Sequence, residues 1–359
     1  MRSTTAWWLG GLAVVATSIA VIGAGGTPEP EAAPRPSSQT EPPSSPTEAP
    51  SGPTPPATSE PGAAEPLRAF APDSWWNVAV PDDAPTHPDS RAILEYMQTA
   101  RQNGGGCVTL AGAENSWGQP VYWAAAGDTE YDVVVTGEGK PAEVSALRIP
   151  DGARAADTND HAMTVFDVAK GYVVALTDAS FDEGERVWTA SGATVTYLDS
   201  NGLHAGTGRS DDDRNLGSHR GNNGATMMVR YDEFEAGAIR HVLKVASGPE
   251  TSRRHVFPMI GSDGDSRKGV APEQGLRFRL KPSLDLDAFD LHPEARVIAE
   301  ALQTYGFYVG DSAGVTALKL ENTRAEGRGQ LWTVPANGLC RLPLDPELWD
   351  VLPEGYDPT

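Results

Sequence analysis

Between Gly26 and Pro66 the chain carries thirteen prolines and no aromatic or large aliphatic residue. A segment of this composition has no apolar surface to bury, so it stays extended and solvated. Ahead of it, Ala6 to Gly25 reads AWWLGGLAVVATSIAVIGAG, a run without charge preceded by Arg2. Such a run is long enough to cross a bilayer and also has the form of a signal-peptide core. Ile22-Gly23-Ala24 is a small-residue cleavage site, and no cysteine follows to carry a lipid. The expected organisation is a signal peptide or N-terminal membrane anchor at 1–25, a Pro/Ser/Thr/Glu-rich linker at 26–66 and a globular domain at 67–359. In either case the domain is expected outside the cytoplasm, secreted or membrane-anchored, and touches a membrane only if the leader is retained.

The chain has 28 basic and 49 acidic residues, a net charge of −21. A surface of that sign repels phosphate backbones and anionic lipid, which argues against nucleic acid as a partner. Cys107 and Cys340 are its two cysteines. In an exported protein such a pair is expected to form one disulfide. Cys107 follows Gly104-Gly105-Gly106 and Cys340 lies in a Pro-rich tail, neither a setting for a nucleophile.

The globular part reads as mainly β. Short segments rich in Val, Thr, Tyr and Phe recur: Pro120–Ala124, Tyr131–Thr136, Ala162–Val168, Tyr172–Thr177, Arg186–Thr189, Ala193–Leu198, Thr226–Arg230, Ile239–Ala246, Leu276–Leu280, Phe307–Val309 and Val315–Leu320. Ala169-Lys170-Gly171 is the expected turn of a hairpin. Two helices are predicted, over Asp89–Arg101 and Pro293–Tyr305, the second opened by Pro293 and stopped by Gly306. Strands and helices do not alternate, so the expectation is a β-sandwich or jelly-roll-like domain with two peripheral helices. Asp199 to Gly224 is a long polar stretch whose Asn and Gly content predicts defined turns.

Candidate chemistry follows from polar residues on apolar strand faces. Period two places His161 with Met163 and Val165, His241 with Ile239, Leu243 and Val245, and Asp311 with Phe307 and Val309. An imidazole with a carboxylate partner can act as general acid or base near neutral pH. His161, His241, Asp160 and Asp311 are therefore the candidate catalytic set. In the polar stretch, His219, Arg220 and Asn222 are candidates to bind substrate, since an Arg fork suits a uronate carboxylate. Trp117, in Asn115-Ser116-Trp117-Gly118, is the most loop-like of the tryptophans Trp75, Trp76, Trp117, Trp123 and Trp188 that can stack on a sugar ring. No cofactor is predicted. Asp211-Asp212-Asp213 offers oxygens to calcium without the alternating spacing of a calcium loop, and no closely spaced histidine pair points to zinc.

The strings Asn159–Asp167, Gly237–Ala246 and Ala299–Gly314 together resemble a family of secreted bacterial β-rich proteins of unassigned activity. The resemblance spans most of residues 70–325 and implies domain limits, without implying a mechanism. Gly310-Asp311-Ser312-Ala313-Gly314 also resembles the nucleophile segment of trypsin-like serine proteases. His161 lacks the Ala-Ala-His-Cys setting of that family, which puts the protease reading last. The leading expectation is an extracellular polysaccharide lyase or glycoside hydrolase whose partner is a glycan or cell-wall polymer. The alternative is a carbohydrate- or wall-binding module without catalysis.

Overall fold

Several strands in this chain end at a Gly, Pro or Asp, as before Gly112, Asp132, Pro150, Asp178 and Gly248, and all are short. A computed structural model describes residues 65–99, 106–137, 139–158, 160–218, 221, 223–248 and 251–357. The expected leader, and the linker up to residue 64, lie outside the described residues. In chain order the elements are helix α1 (Ser90–Thr99) and strands β1 (Thr109–Ala111), β2 (Val121–Trp123), β3 (Thr129–Tyr131), β4 (Val134–Val135) and β5 (Leu147–Ile149). There follow β6 (Met163–Asp167), β7 (Tyr172–Thr177), β8 (Ser180–Asp182), β9 (Val187–Ala190), β10 (Gly192–Tyr197) and helix α2 (Tyr231–Glu235). The chain continues through β11 (Leu243–Ser247), β12 (Arg277–Leu280), helix α3 (Pro293–Thr304), β13 (Phe307–Ser312), β14 (Ala317–Lys319) and β15 (Trp349–Val351). The domain is mainly β with few helices, as the strand pattern predicts.

The larger sheet has the order β1-β14-β11-β13-β12-β15 and mixes parallel with antiparallel pairs. One of its faces is apolar: Leu110, Leu318, Leu243, Val245, Phe307, Val309 and Phe278 are all buried there. Helices α1 and α3 cover that face through Ile93, Leu94 and Met97, and through Ala295, Ile298 and Leu302. Each fully buried large aliphatic or aromatic side chain contributes on the order of 1.5–3 kcal/mol, so this face carries much of the stability. Helix α3 starts as its sequence dictates. Pro293 stands in the first turn, and His292 Nδ1 accepts the Glu294 amide at 3.3 Å. It stops at Gly306, whose φ of 70° brings it against the Phe278 carbonyl oxygen, where a Cβ would collide.

The smaller sheet has the order β10-β7-β6-β2. Strands β6 and β7 form the expected hairpin, and the Asp167 side chain accepts the Lys170 amide at its turn. Asp167 is fully buried. It is held by Arg148 on β5, whose Nε donates to Oδ2 at 2.7 Å. Strands β3 and β5, and β4, β9 and β8, form two further small sheets over the same core. The segment Thr226–Arg230 departs from expectation. Asn223 Oδ1 caps a 3₁₀ turn at Gly224–Met227, and Val229 keeps only an isolated bridge to Leu320. Trp75, Trp76 and Trp188 are core residues, 2–5 % exposed. Cys107 and Cys340 are joined in a disulfide. No helix among the described residues is long and apolar enough to cross a membrane.

A carboxyl pair ties β2 to the segment after β14. Glu326 Oε1 accepts the Val121 amide at 2.7 Å, and Arg328 donates to both Glu321 (2.6 Å) and Glu326 (3.1 Å). Burial, followed by the charge of Glu321, pushes the Glu326 carboxyl up to about 8, against the opposing pull of the Val121 amide and Arg328. Folded, this group keeps its proton to about pH 8; unfolded, it loses it near its ordinary value of 4.5. The folded state thus binds more protons across that window, and stability falls as pH rises through it. Glu326→Gln retains an oxygen for Val121 and removes the titration. Its unfolding midpoint relative to the parent is expected to rise by roughly 5 °C between pH 5 and pH 8.5. Parallel curves in differential scanning calorimetry would show that Glu326 titrates normally.

Candidate functional site

Alternation on the larger sheet leaves one face for the helices and another for whatever lies opposite. On β1 and β14, Leu110 and Leu318 face the core, while Thr109, Ala111, Ala317 and Lys319 line a cleft of about 720 Å³. On β11, Leu243 and Val245 face the core, while Lys244 and Ala246 line the cleft. The opposite wall comes from the smaller sheet, with Ala175 and Thr177 of β7 and Thr194 of β10. Small side chains on both walls leave the space open.

Strand β13 adds an acid to this face through a break in register. Val245 pairs with Val309, but Ala246 pairs with Asp311, so Gly310 is an extra residue, a β-bulge. By simple alternation Asp311 would join Phe307 and Val309 in the core. The bulge turns it to the other side, onto the face of Lys244 and Ala246. There the Lys244 ammonium lies 3.3 Å from Asp311 Oδ2, and the Ser312 amide donates to Oδ1 at 3.0 Å. Both side chains are largely buried, 13 % and 17 % exposed. Gly224 makes room for the lysine tip: a Cβ there would stand 2.7 Å from Nζ. A second pair lies across the cleft, Lys319 Nζ with Asp160 Oδ2 at 3.7 Å. Ser312 lines the cleft beside Asp311, and Asp263 and Ser218 also reach it. Trp117, 48 % exposed, stands on its rim, its amide held by Asn115 Oδ1 at 3.0 Å.

The candidate residues are thus dispersed in part. Asp160, Asp311 and Trp117 come together on this cleft. His161 does not point with Met163 and Val165. It precedes β6 with a φ of 37°, and this left-handed backbone carries its exposed side chain into a neighbouring cavity of about 750 Å³. Arg186, Tyr131 and Trp188 line that cavity with it. His241 does face inward, as the alternation predicts, and it is 4 % exposed. It does not line the cleft. Its Nδ1 meets the Val242 carbonyl oxygen at 2.8 Å and its Nε2 meets Glu233 Oε1 at 2.9 Å. Both ring nitrogens face acceptors, the pattern that an imidazolium satisfies. Glu233 in turn accepts the Arg230 amide through Oε2 and the Arg230 guanidinium through Oε1, each at 3.1 Å. Burial pushes the Glu233 carboxyl up, but the charges of His241 and Arg230 and their hydrogen bonds outweigh it and hold it below its ordinary range.

His219, Arg220 and Asn222 lie outside the described residues. Two of the three acids offered to calcium close their own loop: Asp211 Oδ1 accepts the Asn201 amide, and Asp212 holds Arg214. Among the described residues no group of three or more His, Cys, Asp or Glu side chains is placed to hold a metal ion. Lys244 and Lys319 are the functional candidates that sequence reasoning passed over. Alternation did separate Lys244 from the apolar face of β11, but it does not distinguish a cleft from open solvent.

The site offers two fixed carboxylates as acceptors and two ammonium groups as donors around a space bounded by small side chains. Such a set can hold hydroxyl-rich or anionic ligands and can move a proton at Asp311 or Asp160. Comparison with protein-family models, curated proteins and solved structures finds no match.

Proposed function

We propose that this domain works outside the cytoplasm on an extracellular glycan or wall polymer, as a polysaccharide lyase or glycoside hydrolase acting in the Lys244–Asp311 cleft. The observation that carries the reading is the bulge at Gly310. It turns a carboxylate out of the core face into a cleft, with the Lys244 ammonium 3.3 Å away to orient it. Bulges that re-aim one side chain are concentrated beside active sites. Asp311 is assigned as the proton acceptor and Asp160 as the second carboxylate. Paired carboxylates are the working groups of glycoside hydrolysis, and a lysine beside the base would neutralise a uronate during elimination. Trp117 on the rim offers an aromatic face to a pyranose. The disulfide and the uncharged run Ala6–Gly25 support the exported location.

Asp311→Asn, assayed on a panel of wall and matrix polysaccharides for new reducing or unsaturated ends, is expected to lower turnover about 10²- to 10⁴-fold with binding retained. Unchanged turnover in that variant would remove Asp311 from the chemistry. The ion pairing of both acids also suits a second reading, binding without catalysis, since each carboxylate is already fixed by an ammonium group. Retention of the parent protein on insoluble glycan, with no ends released from any substrate, would decide for that reading.

A further inference from the structure

A smaller cavity of about 430 Å³ opens next to the cleft, and two arginines, Arg154 and Arg324, line it together with one acid, Asp157. It adjoins the cleft through Ser116, which lies between the cleft residues Asn115 and Trp117. Arg154 also lines the cavity that holds His161, so the three spaces follow one another along the surface. In a chain with 49 acids, neither guanidinium has a carboxylate within ion-pair distance among the described residues. Arg324 donates only a long bond, 3.3 Å, to the Asn115 carbonyl oxygen. Both side chains are exposed, yet their backbones are pinned. The Tyr122 hydroxyl accepts the Arg154 amide at 2.9 Å and donates to the Arg154 carbonyl at 2.7 Å. The same hydroxyl lies 3.4 Å from the carbonyl oxygen of Ala325, the neighbour of Arg324. Asn322 adds to this, accepting the Ala325 amide and donating to the Ser116 carbonyl.

One tyrosine thus fixes two arginine-bearing loops relative to each other, while the Arg154 fork and the remaining donors of Arg324 stay open. Guanidinium forks match a planar carboxylate, and carrying them on fixed backbones reduces the ordering cost of binding. We infer that the Arg154–Arg324 cavity is a carboxylate-recognising subsite, and that the glycan reaching the cleft carries uronic acid units. The inference rests on the glycan reading of the cleft and names its substrate class. Trp117, on the cleft rim beside Ser116 of the subsite, favours a sugar over a peptide as the bearer of the carboxylate. Tyr122 is a positioning residue, since it touches the arginine backbones and not the ligand.

The test is titration calorimetry of the full chain with oligomers of galacturonate, glucuronate and mannuronate, and with their carboxyl-reduced neutral counterparts. At least one acidic oligomer is expected to bind about tenfold or more tightly than its neutral form, with the advantage shrinking as salt is raised. Arg154→Gln combined with Arg324→Gln should erase that advantage and leave neutral binding unchanged, and Tyr122→Phe should narrow it. Equal binding of acidic and neutral oligomers, or an advantage that survives in the double variant, overturns the subsite while the glycan reading stands. Binding of neither class overturns the glycan reading itself. Poly-glutamate binding as tightly as any uronate, with the same loss in the double variant, reassigns the cavity to a peptide and likewise overturns the inference.

Discussion

Replacing Cys107 and Cys340 together by serine is expected to cost about 5 kcal/mol and to lower the unfolding midpoint by about 10 °C. The bridge closes a loop with a sequence separation of 233 residues, and loop-closure entropy grows with the logarithm of that length. The native contacts around it explain why the effect should not be absorbed elsewhere. The Leu344 amide bonds to the Gly106 carbonyl, and the Leu110 amide to the Ala336 carbonyl, so the C-terminal segment is laid along the start of β1. Leu339, Leu342 and Leu344 of that segment pack into the larger core. Without the bridge these contacts remain available to the folded state, but the unfolded chain regains its freedom. Calorimetry with and without reductant, and with the serine pair, measures the difference. A loss below about 1 kcal/mol would mean that the entropic account fails here.

His241→Ala is expected to destabilise the domain by about 3 kcal/mol or more, because it leaves a buried carboxylate and a carbonyl without their donor. Glu233 would keep Arg230, whose guanidinium already reaches the Leu67 carbonyl at 2.7 Å, and would lose the imidazole at its Oε1. The pH dependence follows from the same network. Glu233 is held below its ordinary range, so its contribution is full above the unfolded value near 4.5 and is lost as pH falls through the lower folded value. The variant should therefore begin acid unfolding at a higher pH than the parent. Chemical denaturation at neutral pH, with an acid titration followed by circular dichroism, reads both effects. If the variant were as stable as the parent but inactive on a glycan, the role assigned to His241 would have to be chemical after all.

Local signals made much of the framework legible. Helix α3 shows its start and stop in Pro293 and Gly306, and β7 spans the apolar run Tyr172–Thr177 that the sequence marks as a strand. The polar stretch before Gly224 holds defined turns, with Asn215 bonding to Tyr197, Ser200 and Leu203. The site was less legible because it depends on departures from alternation. A left-handed residue at His161 and one extra residue at Gly310 each send a side chain to the side opposite the one that counting by twos assigns. Nothing in the residue types of Phe307 to Ser312 announces the bulge except the glycine itself. Lys319 meets Asp160 from a strand more than 150 positions away in sequence, a pairing that only the three-dimensional arrangement of the sheets creates.

The extra residue in β13 makes this strand more sensitive to register than to composition. Odd and even positions exchange roles once along it, so a single strand serves a dry interior at one end and a wet surface at the other. Deleting Gly310 would close the ladder with the carboxylate still opposite Ala246, whereas pairing Gly310 itself with Ala246 would turn the carboxylate onto the face of Phe307 and Val309. Side-chain exchanges at the same spot would leave the frame intact. Engineering of this edge should therefore vary what each position carries and preserve the partner each position meets.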